Sequence, residues 1–299
     1  MERNQAQQLT IWTGFTQMMI DFGLLVKFKL SLMVLFSALI AYSIAGFGQI
    51  NWLGFTLLAI GGFLVTGASN ALNEVLERDY DKIMPRTANR PVATGRMSIS
   101  TAVLLAGVMA FLGVSILSLF NPLTGFLGML SLISYAFIYT PLKRSTPFAV
   151  VVGAFPGALP LIIGCTAWSG VMTPMALMLF SIQFLWQFPH FWAVAWLADD
   201  DYKRAGFYLL PSRDGKKDAT TGFLSFVFCC LMMVNALVGF ITGFSSIWAT
   251  LALLILNGFF AWRCWQLYQT CSREAARRQM FASFLHLPAS LIVLLIDKF

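Results

Sequence analysis

Nine apolar stretches recur along the 299 residues, near 25–46, 53–76, 99–119, 122–141, 147–166, 172–197, 221–242, 246–268 and 279–296. Each approaches the roughly 20 residues that an α-helix needs to cross a bilayer. Gly and Pro inside them are tolerated where neighbouring helices re-satisfy the backbone. Composition agrees: 58% of the residues are hydrophobic and 11% charged, where a soluble domain carries about 25% charged residues. A soluble two-domain enzyme is therefore excluded. An aromatic content of 15% excludes intrinsic disorder as well. The expected fold is all-α: a polytopic membrane protein of about nine transmembrane helices, one domain over 25–296. Residues 1–24 read neither as a secretory signal nor as an Arg-rich transit peptide, and are expected to form a cytoplasmic segment.

Basic residues orient this bundle. Every Lys and Arg except Lys298 falls on one side of the nine-span pattern. Arg3, Lys27 and Lys29 lie at the N-terminal end, and the others lie in or beside loops near 77–98, 142–146, 198–220 and 269–278. The positive-inside rule then puts the N-terminus and the long loops in the cytoplasm and the C-terminus outside the cell inner membrane. A missed span would invert every later loop, so the partition also supports the count of nine. The net charge of +7 is topogenic charge facing an anionic leaflet and calls for no nucleic acid. The five cysteines form no CxxC pair or haem-attachment motif and read as small apolar helix fillers.

Acidic residues cluster. Glu74, Glu77, Asp79 and Asp81 follow the second span, and Asp199, Asp200 and Asp201 follow the sixth. Asn73, Glu77 and Asp81 are spaced i, i+4, i+8, so on a helix they share one face over roughly 12 Å. An amide and two carboxylates make a hard-ligand edge for Mg²⁺, which takes one or two carboxylates plus substrate phosphates. Asn70 and Glu74 offer another register, and an ordinary solvated helix end is the plain alternative. Three adjacent Asp repel one another unless a cation or solvent relieves them. They read as a solvated loop or as a second metal set. Two such sets on one face can hold two ions that bridge a diphosphate and make it a leaving group. Arg86, Arg90, Lys143 and Arg144 are candidate receivers of that anion, or topogenic charge. His190, among Trp186, Phe188, Phe191 and Trp192, reads as a metal ligand, a base or a hydrogen-bonded core histidine. His286 reads as a core histidine.

These residues resemble the UbiA superfamily of intramembrane prenyltransferases, and most closely its haem-farnesylating branch. The family motif NxxxDxxxD stands here as Asn73, Glu77, Asp81, and DKxMxRTxNRP runs from Asp81 to Pro91. Tyr139 and Lys143 match YxxxK within YTPLKRSTP. Residues 150–164 look like the Gly/Pro-rich fifth helix, and WQFPHFWAVAW resembles the branch signature on the sixth. Three departures stand out: Glu77 replaces an Asp, Lys27-Phe28 replaces a helix-breaking Lys-Pro, and His190 and Leu197 replace acids of quinone-making relatives.

The resemblance implies a UbiA-type bundle that transfers the farnesyl group of farnesyl diphosphate to the vinyl side chain of haem B. Water addition then gives haem O and diphosphate, with haem B a substrate rather than a cofactor. It implies that Asn73, Glu77 and Asp81 position Mg²⁺ and that Asp199, Asp200 and Asp201 offer a second carboxylate set. Arg86, Arg90, Lys143 and Arg144 would neutralise diphosphate or haem propionates. Tyr139, Trp186 and Trp192 would contact substrate, and His190 would ligate haem iron or activate water. Expected partners are the lipid bilayer and haem A synthase or terminal-oxidase assembly proteins. Prenylation of another aromatic acceptor such as a quinone precursor is the alternative within enzymes, and a non-catalytic haem-binding assembly factor the alternative outside them. A secondary transporter fits less well, because its acids would sit near the bilayer midplane and these sit at helix ends.

Overall fold

The computed structural model describes Gly14, residues 16–212 and residues 215–298. Most of segment 1–24, with its Arg3, and also Arg213 lie outside the described residues. Among the described residues, nine helices reach a membrane-spanning length, one of them only through its continuation. They are α1 (Phe28–Ala45), α2 (Trp52–Leu76), α3 (Ile99–Ser118), α4 (Pro122–Ile133), α5 (Ala149–Ser169), α6 (Pro174–Leu197), α7 (Ala219–Ile241), α8 (Ile247–Thr270) and α9 (Arg273–Ile296). The chain of α4 continues through a π-helical turn, Ser134–Tyr139, into Thr140–Leu142, which gives it a spanning length of 21 residues. No strand occurs among the described residues.

Local chemistry sets these boundaries. Asn51, Ser98, Asn121, Thr173, Asp218, Ser246 and Ser272 each accept a backbone N–H at a helix start, replacing the partner that the first turn lacks. Two boundaries depart from the hydropathy reading. Helix α9 begins at Arg273, so the expected loop 269–278 is largely helical. Ser272 caps it and Glu274 pairs with Arg278 one turn on, at 3.1 Å, which supports a charged first turn. At the other end, α1 is separated from a helix over 16–25 without any proline. Lys27 makes the break by adopting a left-handed φ of 48°. The freed Val26 carbonyl accepts from Ser31 Oγ at 2.7 Å and Asn70 Nδ2 at 3.2 Å.

Eight of the nine helices are apolar enough to cross a membrane on composition alone. The exception is α6, which has the length, at 24 residues, but spends positions on Gln183, Gln187 and His190. Those polar residues line the cavity described below. Helices α1 to α5 pack as one group and α6 to α9 as another, joined by α5 against α6 and α1 against α9. Helix α5 is the most enclosed. Its Gly164 lies so close to α1 that a Cβ there would sit 2.1 Å from the Ala38 carbonyl oxygen, a small-residue contact typical of helices that meet in lipid. Pro160 leaves the Pro156 carbonyl without its helical donor, and Ser131 Oγ donates to that oxygen at 3.4 Å. Large apolar side chains such as Phe111, Ile241 and Ile255 project from the outer surface, where lipid would cover them.

Candidate active site

The Asn73–Glu77–Asp81 row survives the end of α2. Glu77 caps the helix, and the chain resumes as a short helix over Arg78–Asp81. The bonds from Glu77 N to Asn73 O (2.9 Å) and Asp81 N to Glu77 O (2.8 Å) keep the four-residue ladder intact. The three side chains are therefore presented in sequence, all buried.

Each member meets a cation from a different segment. Lys27, at the break before α1, donates from Nζ to Asn73 Oδ1 at 2.6 Å. Lys143, just after α4, forms an ion pair with Glu77. Arg90, in the loop after α2, pairs with Asp81 Oδ2 at 2.7 Å. Asn73 Nδ2 donates to Thr140 Oγ1 at 3.0 Å, tying α2 to the end of the α4 chain. Glu74 accepts from the Val92 amide at 3.0 Å. Burial alone would raise Glu77, but the Lys143 ammonium, backed by Lys27 and Arg90, holds its carboxyl below the usual range. Burial would likewise lower Lys143, and Glu77 pulls it up instead. At Asp81 burial wins over Arg90 and the carboxyl is raised. Burial, with the Arg90 charge nearby, pushes Lys27 down to about 7.

Two buried oxygens in this cradle, Asp81 Oδ1 and Glu74 Oε2, have no hydrogen-bond partner. Among the described residues no three His, Cys, Asp or Glu side chains come together as a metal site; the row itself offers two carboxylates and one amide. This donor set fits a Mg²⁺ that arrives with phosphate oxygens and needs only one or two carboxylates. Asn73, Glu77 and Asp81 would hold it.

The second acidic cluster lies at the same end. Asp199 is buried and engaged by Lys203 at 2.8 Å and Lys217 at 3.5 Å, while Asp200 is exposed and Asp201 half-buried. Exposed Arg86, on the loop that follows the first cluster, reaches the second, with Nη2 3.4 Å from Tyr202 Oη. Exposed Arg144 stacks over Tyr80 at 4.3 Å and donates to the Leu76 carbonyl at 2.6 Å, so it braces the end of α2. Lys143 lies 4.9 Å from the Tyr139 ring centre.

A cavity of about 230 Å³ opens between α1, α2, α4, α5, α6 and α9. Leu30, Met33, Pro156, Pro160, Phe191 and Leu287 make it greasy, and Tyr135, Tyr139, Gln183, Gln187 and His190 supply its polar points. The π-helical turn adds an extra residue per turn beneath Tyr135 and Tyr139, a distortion common at functional sites. From α6 come Gln183, Trp186, Gln187, His190 and Phe191, spaced three and four apart on one face. Trp192 is not among the lining residues. It is 5% exposed and packs with Phe188 and Phe228 on the opposite side of α6. His190 stacks on Trp186 at 4.6 Å and meets Ser283 Oγ at 2.8 Å. His286 is buried away from the cavity, against Asn257 at 2.7 Å. Sequence reasoning missed Lys27 as a site residue, along with Tyr135, Gln183 and Gln187.

Comparison with known proteins follows from this geometry. The UbiA prenyltransferase family matches residues 34–286. A protoheme IX farnesyltransferase of Cytophaga hutchinsonii is 41% identical over 275 residues, covering 92% of this chain and 96% of the relative. One of Christiangramia forsetii is 40% identical, covering 93% of each. The fold matches a digeranylgeranylglyceryl phosphate synthase with a TM-score of 0.79 at 15% identity, over 94% of this chain and 98% of that one. It also matches a UbiA homologue of Archaeoglobus fulgidus bound to DMAPP and Mg²⁺, with a TM-score of 0.69 at 13% identity, over 92% and 99%. Motif, cradle, bundle and relatives agree, and the chain belongs to the UbiA prenyltransferase family.

Proposed function

We propose that this chain transfers the farnesyl group of farnesyl diphosphate to the vinyl side chain of haem B, and that water addition gives haem O and diphosphate. The carrying observation is the cradle of three cations and three oxygen-bearing side chains beside an apolar cavity that carries His190. Relatives at 41% and 40% identity bear the name protoheme IX farnesyltransferase, which supports haem as the acceptor.

On this reading Lys27, Arg90 and Lys143 receive the diphosphate charge, with Arg86 and Arg144 at its rim for diphosphate or haem propionates. Asn73, Glu77 and Asp81 would hold Mg²⁺, which would supply Lewis-acid charge that makes diphosphate a better leaving group. Asp199, Asp200 and Asp201 are the second carboxylate set. Fixed counter-charge is what a C–O bond that breaks into ions needs, because it costs no reorganisation during the reaction. The farnesyl chain lies in the greasy cavity, which keeps water from the allylic cation until the carbon–carbon bond forms. Tyr139 and Trp186 offer ring faces to that cation. His190 faces the haem, as an iron ligand or a base for the water that adds.

The protein lies in the cell inner membrane with its N-terminus and cradle in the cytoplasm and its C-terminus outside. Its product passes to haem A synthase or terminal-oxidase assembly proteins. The test uses purified protein in detergent with haem B, farnesyl diphosphate and Mg²⁺, followed by chromatography and mass analysis of the extracted haem. A heavier, more hydrophobic haem that disappears when Mg²⁺ is chelated is expected. Unchanged haem from folded protein, with a prenylated product from a hydroxybenzoate acceptor, would reassign the enzyme to another aromatic substrate.

A further inference from the structure

His190 is held by one residue of α9, and that residue decides where its proton sits. A serine hydroxyl has a single proton to donate. Ser283 Oγ lies 2.5 Å from the Met280 carbonyl oxygen, which can only accept, so the Ser283 proton is committed there. The same Oγ lies 2.8 Å from His190 Nδ1. With its own proton spent, Ser283 Oγ must accept, and His190 Nδ1 must carry the N–H. A neutral imidazole protonated at Nδ1 has its lone pair on Nε2. No partner for Nε2 occurs among the described residues, and His190 lines the cavity.

Ring orientation is fixed from the same place. Trp186 lies parallel to the imidazole, with an interplanar angle of 12°, and its Nε1 donates to the Ser283 carbonyl at 3.0 Å. Ser283 thus holds the imidazole with its side chain and the stacking indole with its backbone. Phe284, its neighbour on α9, closes another side of the imidazole at 5.3 Å. His286 is built the other way: Nε2 faces Asn257 Oδ1 at 2.7 Å, so that histidine carries its proton on Nε2.

We propose that Ser283 is a positioning residue that locks His190 as the Nδ1–H tautomer and aims the Nε2 lone pair into the cavity, at the iron of the haem acceptor. Histidines that bind metal through one nitrogen have the other tied by a hydrogen bond, and losing that bond costs about 10- to 100-fold in affinity or activity. The iron half of this inference rests on haem being the acceptor, whereas the tautomer does not.

The test begins without substrate. Protein labelled with ¹⁵N-histidine in detergent contains two imidazoles, and a His286→Gln variant assigns them. One Nδ1–H signal from His190 and one Nε2–H signal from His286 are expected. Ser283→Ala should move His190 to the Nε2–H form or to a mixture, and Ser283→Thr, which keeps the hydroxyl, should restore it. Haem B is then titrated, and the ferrous–carbon monoxide absorption band is read for imidazole ligation. Ser283→Ala should weaken haem binding about tenfold and lose the imidazole signature, with Ser283→Thr near wild type. An Nε2–H His190 in the wild type would overturn the proposal even if Ser283→Ala did not fold. So would an unchanged tautomer and spectrum in Ser283→Ala, in which case farnesylated haem from the wild type would leave the assigned reaction standing. A wild type with the Nδ1–H tautomer that neither ligates nor farnesylates haem would instead sink the assigned reaction and the iron half with it.

Discussion

Glu77 and Lys143 are both mostly buried, with 5% and 11% of their side chains exposed, and neither can lose the other without leaving a charge in poor solvent. Removing one partner of a buried pair costs about 3 kcal/mol. Lys143→Met is therefore expected to lower the unfolding midpoint in detergent. The double variant Lys143→Met/Glu77→Gln, with both charges gone, should recover most of that loss while product formation stays abolished in both. A double variant no more stable than the single would show that the pair is uncoupled. Spacing made this row legible as one helix face, since i, i+4, i+8 needs no tertiary knowledge, and the family motif selects it over the Asn70–Glu74 register and a plain solvated helix end. Lys27 was not legible, because its charge had already been counted as topogenic and its reach to Asn73 depends on a left-handed turn that the Lys-Phe sequence does not announce. Gln183 and Gln187 gave no signal, being single amides in an apolar run. Trp192 is expected at the site from the family resemblance, although two residues beyond His190 means roughly 200° around the helix, which turns it away.

At the scale of the element, apolar length placed all nine helices, because lipid demands it. The start of α9 and the π-helical turn after α4 escaped. A charged first turn looks like a loop until its cap and i,i+4 pair are seen, and a π turn has no composition of its own. Close packing is likewise carried by single glycines. Gly164→Ala would drive a methyl into the α1 backbone at Ala38, and backbone cannot rotate aside, so a loss of about 1–3 kcal/mol is expected. Gly107→Ala, on α3 with nothing within 4 Å of the new methyl, should instead be neutral or gain up to about 1 kcal/mol from helix propensity. Thermal melts of the two variants, run in parallel, check this; equal losses would mean that the α1–α5 contact is not tight.

For the whole molecule, among the described residues, the cradle and both acidic clusters lie at one end of the bundle, with Lys298 after the last helix at the other. A green fluorescent protein fused to the N-terminus should fluoresce in the cytoplasm, and alkaline phosphatase fused after the last residue should be active outside. Phosphatase activity only on N-terminal fusions would invert the assigned topology. On the proposed function, substrate anions would meet the enzyme from one compartment, and the greasy chain would enter the cavity that α5 and α6 line.

Helix α6 holds the polar wall of the cavity and is also, among the described residues, the spanning-length helix with the weakest hydropathy. During synthesis it leaves the ribosome after α5 and before any partner from the second group. A translocon that sorts segments by their own affinity for lipid should pass α6 incompletely when it is presented alone, and efficiently when α5 precedes it or when Gln183 and Gln187 are changed to Leu. Glycosylation mapping of α6 in a reporter reads this directly. Biogenesis would thus inherit a constraint from the proposed site: the amides and imidazole that line the cavity would make membrane integration of α6 depend on its neighbour.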